Sequence, residues 1–147
     1  MKNNSELIGD LKSMNTQKTA ALIAVYSILL LILGTLHCIV ADFSFDLEVV
    51  ICFLIGVVSL GMSYFMIRRA GWSFWAGMTL SFGMMLFMGW RSTIALRKFI
   101  DMLQNDKLSN PYDHGTIFLI VFTAFLLSMF TGAIQVMLAR SNAREIE

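Results

Sequence analysis

Four long apolar runs, separated by short charged stretches, constrain the fold of this chain more than any other feature. They cover residues 19–41, 47–67, 72–90 and 116–139. Each run is close to the roughly 20 residues that a helix rising about 1.5 Å per residue needs to cross about 30 Å of hydrocarbon. A segment inside a bilayer must satisfy its own backbone hydrogen bonds, so runs of this length are predicted to be helices.

Composition excludes most soluble alternatives. Of the 147 residues, 57% are hydrophobic and only 14% are charged, whereas about a quarter of a soluble domain is charged. A soluble domain of this size could not bury so much apolar surface, because much of its area faces water. The net charge of +1 gives no indication of a polyanionic partner, so we expect no nucleic-acid binding. The sequence therefore predicts an all-α integral membrane protein whose main partner is the lipid bilayer.

The predicted architecture is an antiparallel four-helix transmembrane bundle in one domain, residues 1–147. Trp72 and Trp90 bracket the third run, about 27 Å apart along a helix, and interfacial tryptophans mark both faces of a membrane. In lipid, small residues let helices approach closely. Small residues recur at four-residue spacing and predict packing faces at Ser59 and Ser63 on the second run, Ser73, Gly77 and Ser81 on the third, and Ala124, Ser128 and Gly132 on the fourth.

An amphipathic helical segment is predicted between the third and fourth membrane helices, at residues 92–104. Its apolar residues share one helical face: Ala95, Leu96, Phe99, Ile100 and Leu103. Such a segment either lies in the membrane interface or extends the third helix out of the membrane. The sequence leaves both alternatives open. Asn, Ser and the only proline then predict a turn at residues 105–111.

The distribution of basic residues predicts the orientation. With both termini on one side, that side carries seven Lys and Arg residues and the other side carries four. The positive-inside rule therefore favours cytoplasmic N and C termini, in a plasma or inner membrane. The first loop is assigned three acids, Asp42, Asp46 and Glu48. The membrane interior is accordingly expected to contain no ionisable carboxylate or amine.

Few side chains offer chemistry near the spans. His37 and Cys38 end the first run, Cys52 lies early in the second, and His114 precedes the fourth. The two cysteines are equally far from the centre of the first loop, so an antiparallel hairpin places them at similar depth. A disulfide, a metal or haem site with the histidines, and simple packing of two apolar thiols are the alternatives, of which packing is favoured. No ligand motif accompanies these residues, so the sequence assigns no catalytic residue, metal ligand or cofactor.

The sequence favours a multi-pass membrane protein that is not an enzyme and works through helix packing. An accessory subunit or a small helical oligomer fits the small-residue faces, and the expected partners are further copies or other membrane proteins. The first alternative is a small transporter or channel for a neutral or lipid-like substrate, with a path lined by Ser59, Ser63, Thr79, Ser81, Thr123, Ser128, Thr131 and Gln135. The second alternative is a redox or metal-binding membrane protein that uses His37, Cys38 and Cys52.

Overall fold

The fold is all-helical. The computed structural model describes residues 4–41, 46–68, 71–104 and 111–144, and their side chains except at 4–15, 71, 111–113 and 141–144. Its helices are α1 (Asn4–Val40), α2 (Leu47–Ile67), α3 (Gly71–Gln104) and α4 (Pro111–Arg144). Asp42 of the first loop and most of the turn predicted at 105–111 lie outside the described residues.

The four helices form a ring in which each packs against its two neighbours. Contacting residues run in opposite directions on adjacent helices: Ala20 with Ser63 and Gly34 with Cys52 between α1 and α2, Gly89 with Phe125 and Gly132 with Phe82 between α3 and α4. The chain is therefore an antiparallel four-helix bundle with consecutive helices adjacent. This order brings the end of α1 and the starts of α2 and α4 to the same end of the bundle.

The outside of the bundle is apolar. Large side chains on every helix are more than half exposed, including Val25, Val57, Leu86, Phe130 and Met137. The centre is also apolar, where Tyr26, Leu30, Met84, Met88 and Val121 form the main core cluster. Serine, threonine and glutamine side chains are buried between these layers, at Ser27, Ser59, Ser63, Ser73, Ser81, Ser128, Thr131 and Gln135. The polarity is thus inverted relative to a soluble bundle, which exposes its polar side chains.

Three helical segments are long and apolar enough to cross a membrane: Thr16–Val40, Leu47–Ile67 and His114–Arg140. Within the described residues, α3 does not reach the same hydropathy, although the sequence predicts a span at 72–90. The reason lies in its composition, because tryptophan, serine and glycine are interspersed among its apolar residues. The structure therefore supports three membrane-compatible helices and a fourth helix of lower hydropathy packed with them.

The amphipathic segment at 92–104 is not a separate element between two helices. It continues α3 without a break to Gln104. No proline interrupts this stretch, and the hydroxyls of Ser92 and Thr93 both donate to the carbonyl oxygen of Gly89, at 3.1 Å each. Of the two alternatives, extension of the third helix is the one that the structure contains. At 34 residues, α3 is about 51 Å long, well beyond one hydrocarbon thickness.

The fourth helix also exceeds the predicted bounds, because it begins at Pro111 rather than near residue 116. Proline is favoured in the first turn of a helix, because the N–H groups there have no acceptor within the helix. The N–H group that proline lacks therefore costs no hydrogen bond at this position. Pro111, which the sequence assigns to the predicted turn, is therefore the first residue of α4.

The small residues selected from the sequence lie inside the bundle. Ser59, Ser63, Ser73, Gly77, Ser81, Ala124, Ser128 and Gly132 are all buried. Gly77 shows why size matters: a Cβ atom there would lie 2.8 Å from Cδ1 of Ile23 and 2.9 Å from Cε of Met66. The faces that these residues form are thus occupied by neighbouring helices of the same chain.

Candidate functional site

A polar cavity opens at the end of the bundle where α1 ends and α2 and α4 begin. Its volume is about 200 Å³. The polar side chains in its wall come from all four helices or their immediate ends: His37, Asp46, Glu48, Arg91, Lys98 and His114. Apolar side chains of α2, α3 and α4 complete the wall. The antiparallel order of the helices is what gathers these residues, since they are widely separated in the sequence.

An ion pair between Glu48 and Arg91 lies in this cavity wall and joins α2 to α3. Glu48 is the second residue of α2, and its side chain is 11% exposed, while that of Arg91 is 23% exposed. The Nε atom of Arg91 donates to Oε1 of Glu48 at 2.7 Å, and its Nη2 atom donates to the same oxygen. Partial burial strengthens such a pair relative to an exposed one, because less water screens the two charges.

The pair places two charges within helices, at one end of the bundle. Glu48 belongs to α2 rather than to the first loop, and Arg91 belongs to α3, directly after the predicted third run at 72–90. The sequence predicts that both charges adjoin apolar runs at the same end of an antiparallel bundle. It does not predict that they pair, because the rotation of each helix about its axis decides which side chains face one another.

His37 occupies the last turn of α1 and is only 2% exposed. Its Nε2 atom is buried and has no hydrogen-bond partner among the described residues. Buried polar atoms in proteins are nearly always paired, so an unpaired one indicates either a cost to stability or a place for a ligand or water. His37 lines the cavity, so this unpaired nitrogen belongs to a side chain of the cavity wall.

Asp46 and Lys98 contribute opposite charges at the exposed part of the cavity wall. Asp46 is the N-cap residue of α2, but its side chain makes no capping hydrogen bond. Its carboxylate is therefore not used in holding the helix end. Lys98 lies on the part of α3 that extends past Arg91, roughly two helical turns further along.

The four residues selected for chemistry are only partly brought together. His37 and the half-buried His114 both line the cavity, while Cys38 and Cys52 are buried outside its wall. Both cysteines are free thiols, and Cys52 packs against Gly34, one turn before Cys38. The disulfide between them stays a prediction. Among the described residues, no three His, Cys, Asp or Glu side chains are grouped closely enough to hold a metal ion.

Hydroxyl and amide groups inside the bundle bond to neighbouring helices or to their own backbone. Tyr26 and Ser128 share a buried hydrogen bond of 2.9 Å between α1 and α4, and Ser63 donates to the carbonyl oxygen of Ala20 at 2.9 Å. Gln135 donates through Nε2 to Ser81 at 3.3 Å. These groups therefore act as connections between helices.

Thr79 and Thr123, by contrast, do not belong to an interior path. Both are exposed on the outside of the bundle, and each hydroxyl donates to the carbonyl oxygen four residues earlier. This local bond satisfies the hydroxyl without any partner on another helix. The polar path proposed from the sequence is thus interrupted at these two positions.

Comparisons with known proteins add no relative: the sequence matches no family model, no curated protein and no solved structure. Function is therefore inferred from the residues and their geometry.

Proposed function

We propose that this chain is an integral membrane protein with four membrane crossings and both termini in the cytoplasm. The inverted polarity of the bundle is the observation that carries the proposal. Side chains such as Val57, Leu86 and Met137 are 62–68% exposed, which is unfavourable in water and favourable against lipid tails. Buried serine and glutamine side chains bond between helices, as polar groups do in membrane bundles.

The crossing of α3 is supported by its place in the ring. It packs between α2 and α4, and both of those helices contain a segment apolar enough to span. Its outward residues Trp72, Trp75 and Trp90 are 56–67% exposed, and exposed tryptophans are typical of the two membrane interfaces. This place in the ring supports a crossing by α3 alongside its neighbours.

Cysteine labelling tests the topology. In a background that carries Cys38→Ala and Cys52→Ala, five exposed positions are replaced one at a time: Lys18→Cys, Asp46→Cys, Arg68→Cys, Lys98→Cys and Arg140→Cys. We expect a membrane-impermeant maleimide to label 46 and 98 from one side of sealed vesicles and 18, 68 and 140 from the other. Labelling of 68 and 98 from the same side would mean that α3 does not cross.

Within the membrane, we propose a role without catalysis, as an accessory subunit or a small oligomer in a plasma or inner membrane. The apolar outer face supports contact with lipid and with other membrane helices. The small-residue faces are occupied within the chain, so any further contact uses the exposed outer residues instead. Crosslinking in native membranes followed by mass determination in mild detergent tests this role. A strictly monomeric protein that crosslinks to no partner contradicts it.

The cavity favours a second candidate, a small transporter for a neutral or lipid-like substrate. The polar wall gives a substrate an entry at one end of the bundle, while the core cluster around Tyr26, Met84 and Met88 fills the centre. Transport therefore requires the helices to separate at that cluster. Substrate flux across vesicles that contain the purified protein supports this candidate, and a bundle that stays closed in the presence of substrate contradicts it.

A further inference from the structure

We propose that the end cavity binds a small zwitterion with a primary ammonium group and an acidic oxygen group, the chemistry of an amine phospholipid headgroup. The proposal goes beyond the membrane role above and rests on it only for the lipid as the source. A free solute with the same two groups is the other source, and the experiment below separates the two.

Charges of both signs line the cavity, which selects a ligand that also carries both. Asp46 and Lys98 are exposed at its wall, and Glu48 and Arg91 form the ion pair deeper in. The formal charges of these four side chains cancel. A simple anion meets two carboxylates there and a simple cation meets two bases, whereas a zwitterion finds an opposite charge for each end.

The ion pair leaves hydrogen-bonding capacity for such a ligand. Arg91 directs both Nε and Nη2 at one oxygen, Oε1 of Glu48. Among the described residues, no hydrogen bond reaches Oε2 of Glu48 or Nη1 of Arg91. A carboxylate accepts at both oxygens and a guanidinium donates from all three nitrogens. An ammonium donating to Oε2 and an acidic oxygen accepting from Nη1 therefore complete the pair.

His37 supplies the independent sign of a ligand. Its side chain is almost fully buried, lines the cavity, and holds Nε2 without a partner among the described residues. The bonds of the Glu48–Arg91 ion pair do not involve this nitrogen, and no described group at a helix end bonds to it. An acidic oxygen that enters the cavity accepts a hydrogen bond from it if Nε2 is protonated, and an ammonium donates to it if Nε2 is not.

The size of the cavity fits a headgroup rather than a whole lipid. Its volume of about 200 Å³ equals the liquid volume of roughly seven water molecules at about 30 Å³ each. Leu47 lines the cavity and is also 54% exposed on the outer face. The cavity thus adjoins the apolar surface, where the acyl chains of a bound lipid lie against the protein.

Native mass spectrometry of the full-length protein in mild detergent tests the proposal. The probes are phosphatidylethanolamine, phosphatidylcholine and phosphatidylglycerol with identical acyl chains. We expect one ethanolamine lipid to bind at least about tenfold more tightly than the other two. The choline headgroup has no N–H group to donate to the carboxylates, and the glycerol headgroup has no ammonium at all. Equal binding of all three lipids excludes the lipid as the ligand, and together with no binding of free phosphoethanolamine it overturns the proposal.

Substitutions at the exposed wall localise the site without disturbing the core. Lys98→Gln and Asp46→Asn are each expected to weaken ethanolamine-lipid binding about tenfold. Asparagine keeps the N-cap preference of position 46. Lys18→Gln, an exposed lysine on the first half of α1, is the matched control and is expected to leave binding unchanged. Thermal unfolding of each variant verifies that it is folded. An equal loss in Lys18→Gln refutes the assignment to the cavity.

Competition with free phosphoethanolamine separates the two sources. Displacement of the lipid only at a large molar excess identifies the lipid as the ligand, whereas binding of phosphoethanolamine as tight as that of the lipid identifies a free solute. Both outcomes support the zwitterion site. Failure of the folded protein to bind either probe contradicts it. The labelling experiment in vesicles is independent of this measurement, so failure of the topology and failure of the site are distinguishable.

Discussion

Removing one charge of the Glu48–Arg91 pair is expected to lower the free energy of unfolding of the bundle. Removing both charges is expected to recover most of the lost stability. The pair is 2.7 Å between Nε and Oε1, and both side chains are largely buried, at 11% and 23% exposure. At an effective dielectric constant of about 20, two charges about 4 Å apart attract by about 4 kcal/mol before desolvation is subtracted.

The net effect is smaller than this attraction and depends on which partner is removed. Breaking a fully buried pair costs about 3–5 kcal/mol, and exposed pairs contribute at most about 1 kcal/mol. For this partly buried pair we expect Arg91→Gln to lower the free energy of unfolding by about 2–3 kcal/mol. Glu48→Gln is expected to lose about 1 kcal/mol, because Arg91 is the more exposed partner and reaches water more easily.

Unfolding in mixed micelles of mild detergent and SDS, followed by tryptophan fluorescence, measures these changes. The double variant Glu48→Gln with Arg91→Gln leaves no unpaired buried charge and should lie within about 1 kcal/mol of the unsubstituted protein. Arg97→Gln, an exposed position further along α3, is the matched control and should be close to neutral. Strict additivity of the two single losses in the double variant would refute the reasoning.

The remaining predictions concern packing and buried polar groups, and the same unfolding assay measures each. Gly56→Val should cost about 1–3 kcal/mol, because a Cβ atom there lies 2.8 Å from Cδ2 of Leu31, while Gly61→Val on the same helix meets nothing within 4 Å and should be nearly neutral. Equal losses at the two glycines would show that backbone effects and not packing decide. Ser128 donates to the carbonyl of Ala124 and so accepts from Tyr26. Ser128→Ala should therefore leave the Tyr26 hydroxyl without an acceptor and cost about 1–2 kcal/mol, which Tyr26→Phe in the same chain should recover. Absence of that recovery would contradict the bond. Gln135→Met removes a buried oxygen that has no partner among the described residues, together with the long bond of 3.3 Å from Nε2 to Ser81. It should leave stability unchanged or raise it by up to about 1 kcal/mol, whereas a clear loss would show that the bond to Ser81 outweighs the relief of the unpaired oxygen.

The helices could be predicted because their causes are local. Long apolar runs, the absence of proline within them and the charges that flank them are all properties of neighbouring residues. The three helical segments that can span a membrane lie close to the predicted runs. The differences lie at the boundaries, since α1 begins at Asn4, ahead of the predicted run at 19–41, and α4 begins at Pro111, a position expected to lie in a turn. The continuation of α3 to Gln104 is one of the two alternatives that the sequence leaves open for 92–104.

The candidate site was only partly accessible from the sequence. The sequence singles out His37 and His114 for their chemistry, but it treats Arg91 and Lys98 only as basic residues that flank the third run or lie on the polar face of the segment at 92–104. Their role depends on α3 continuing past the third apolar run, which places both side chains on a wall of the cavity. Spacing along one helix predicts a face, but it does not predict which face of another helix lies opposite.

The sequence by itself determined that this chain forms helices with apolar surfaces, because hydropathy and backbone hydrogen bonding act over a few residues at a time. Only the tertiary structure decided that Glu48 meets Arg91, 43 positions away, and that His37, whose Nε2 atom has no partner among the described residues, lines a cavity shared by all four helices. The physical reason is the relative rotation and register of the helices. These are set by close packing at contacts such as Gly34 with Cys52 and Gly77 with Ile23, and they depend on the whole ring at once.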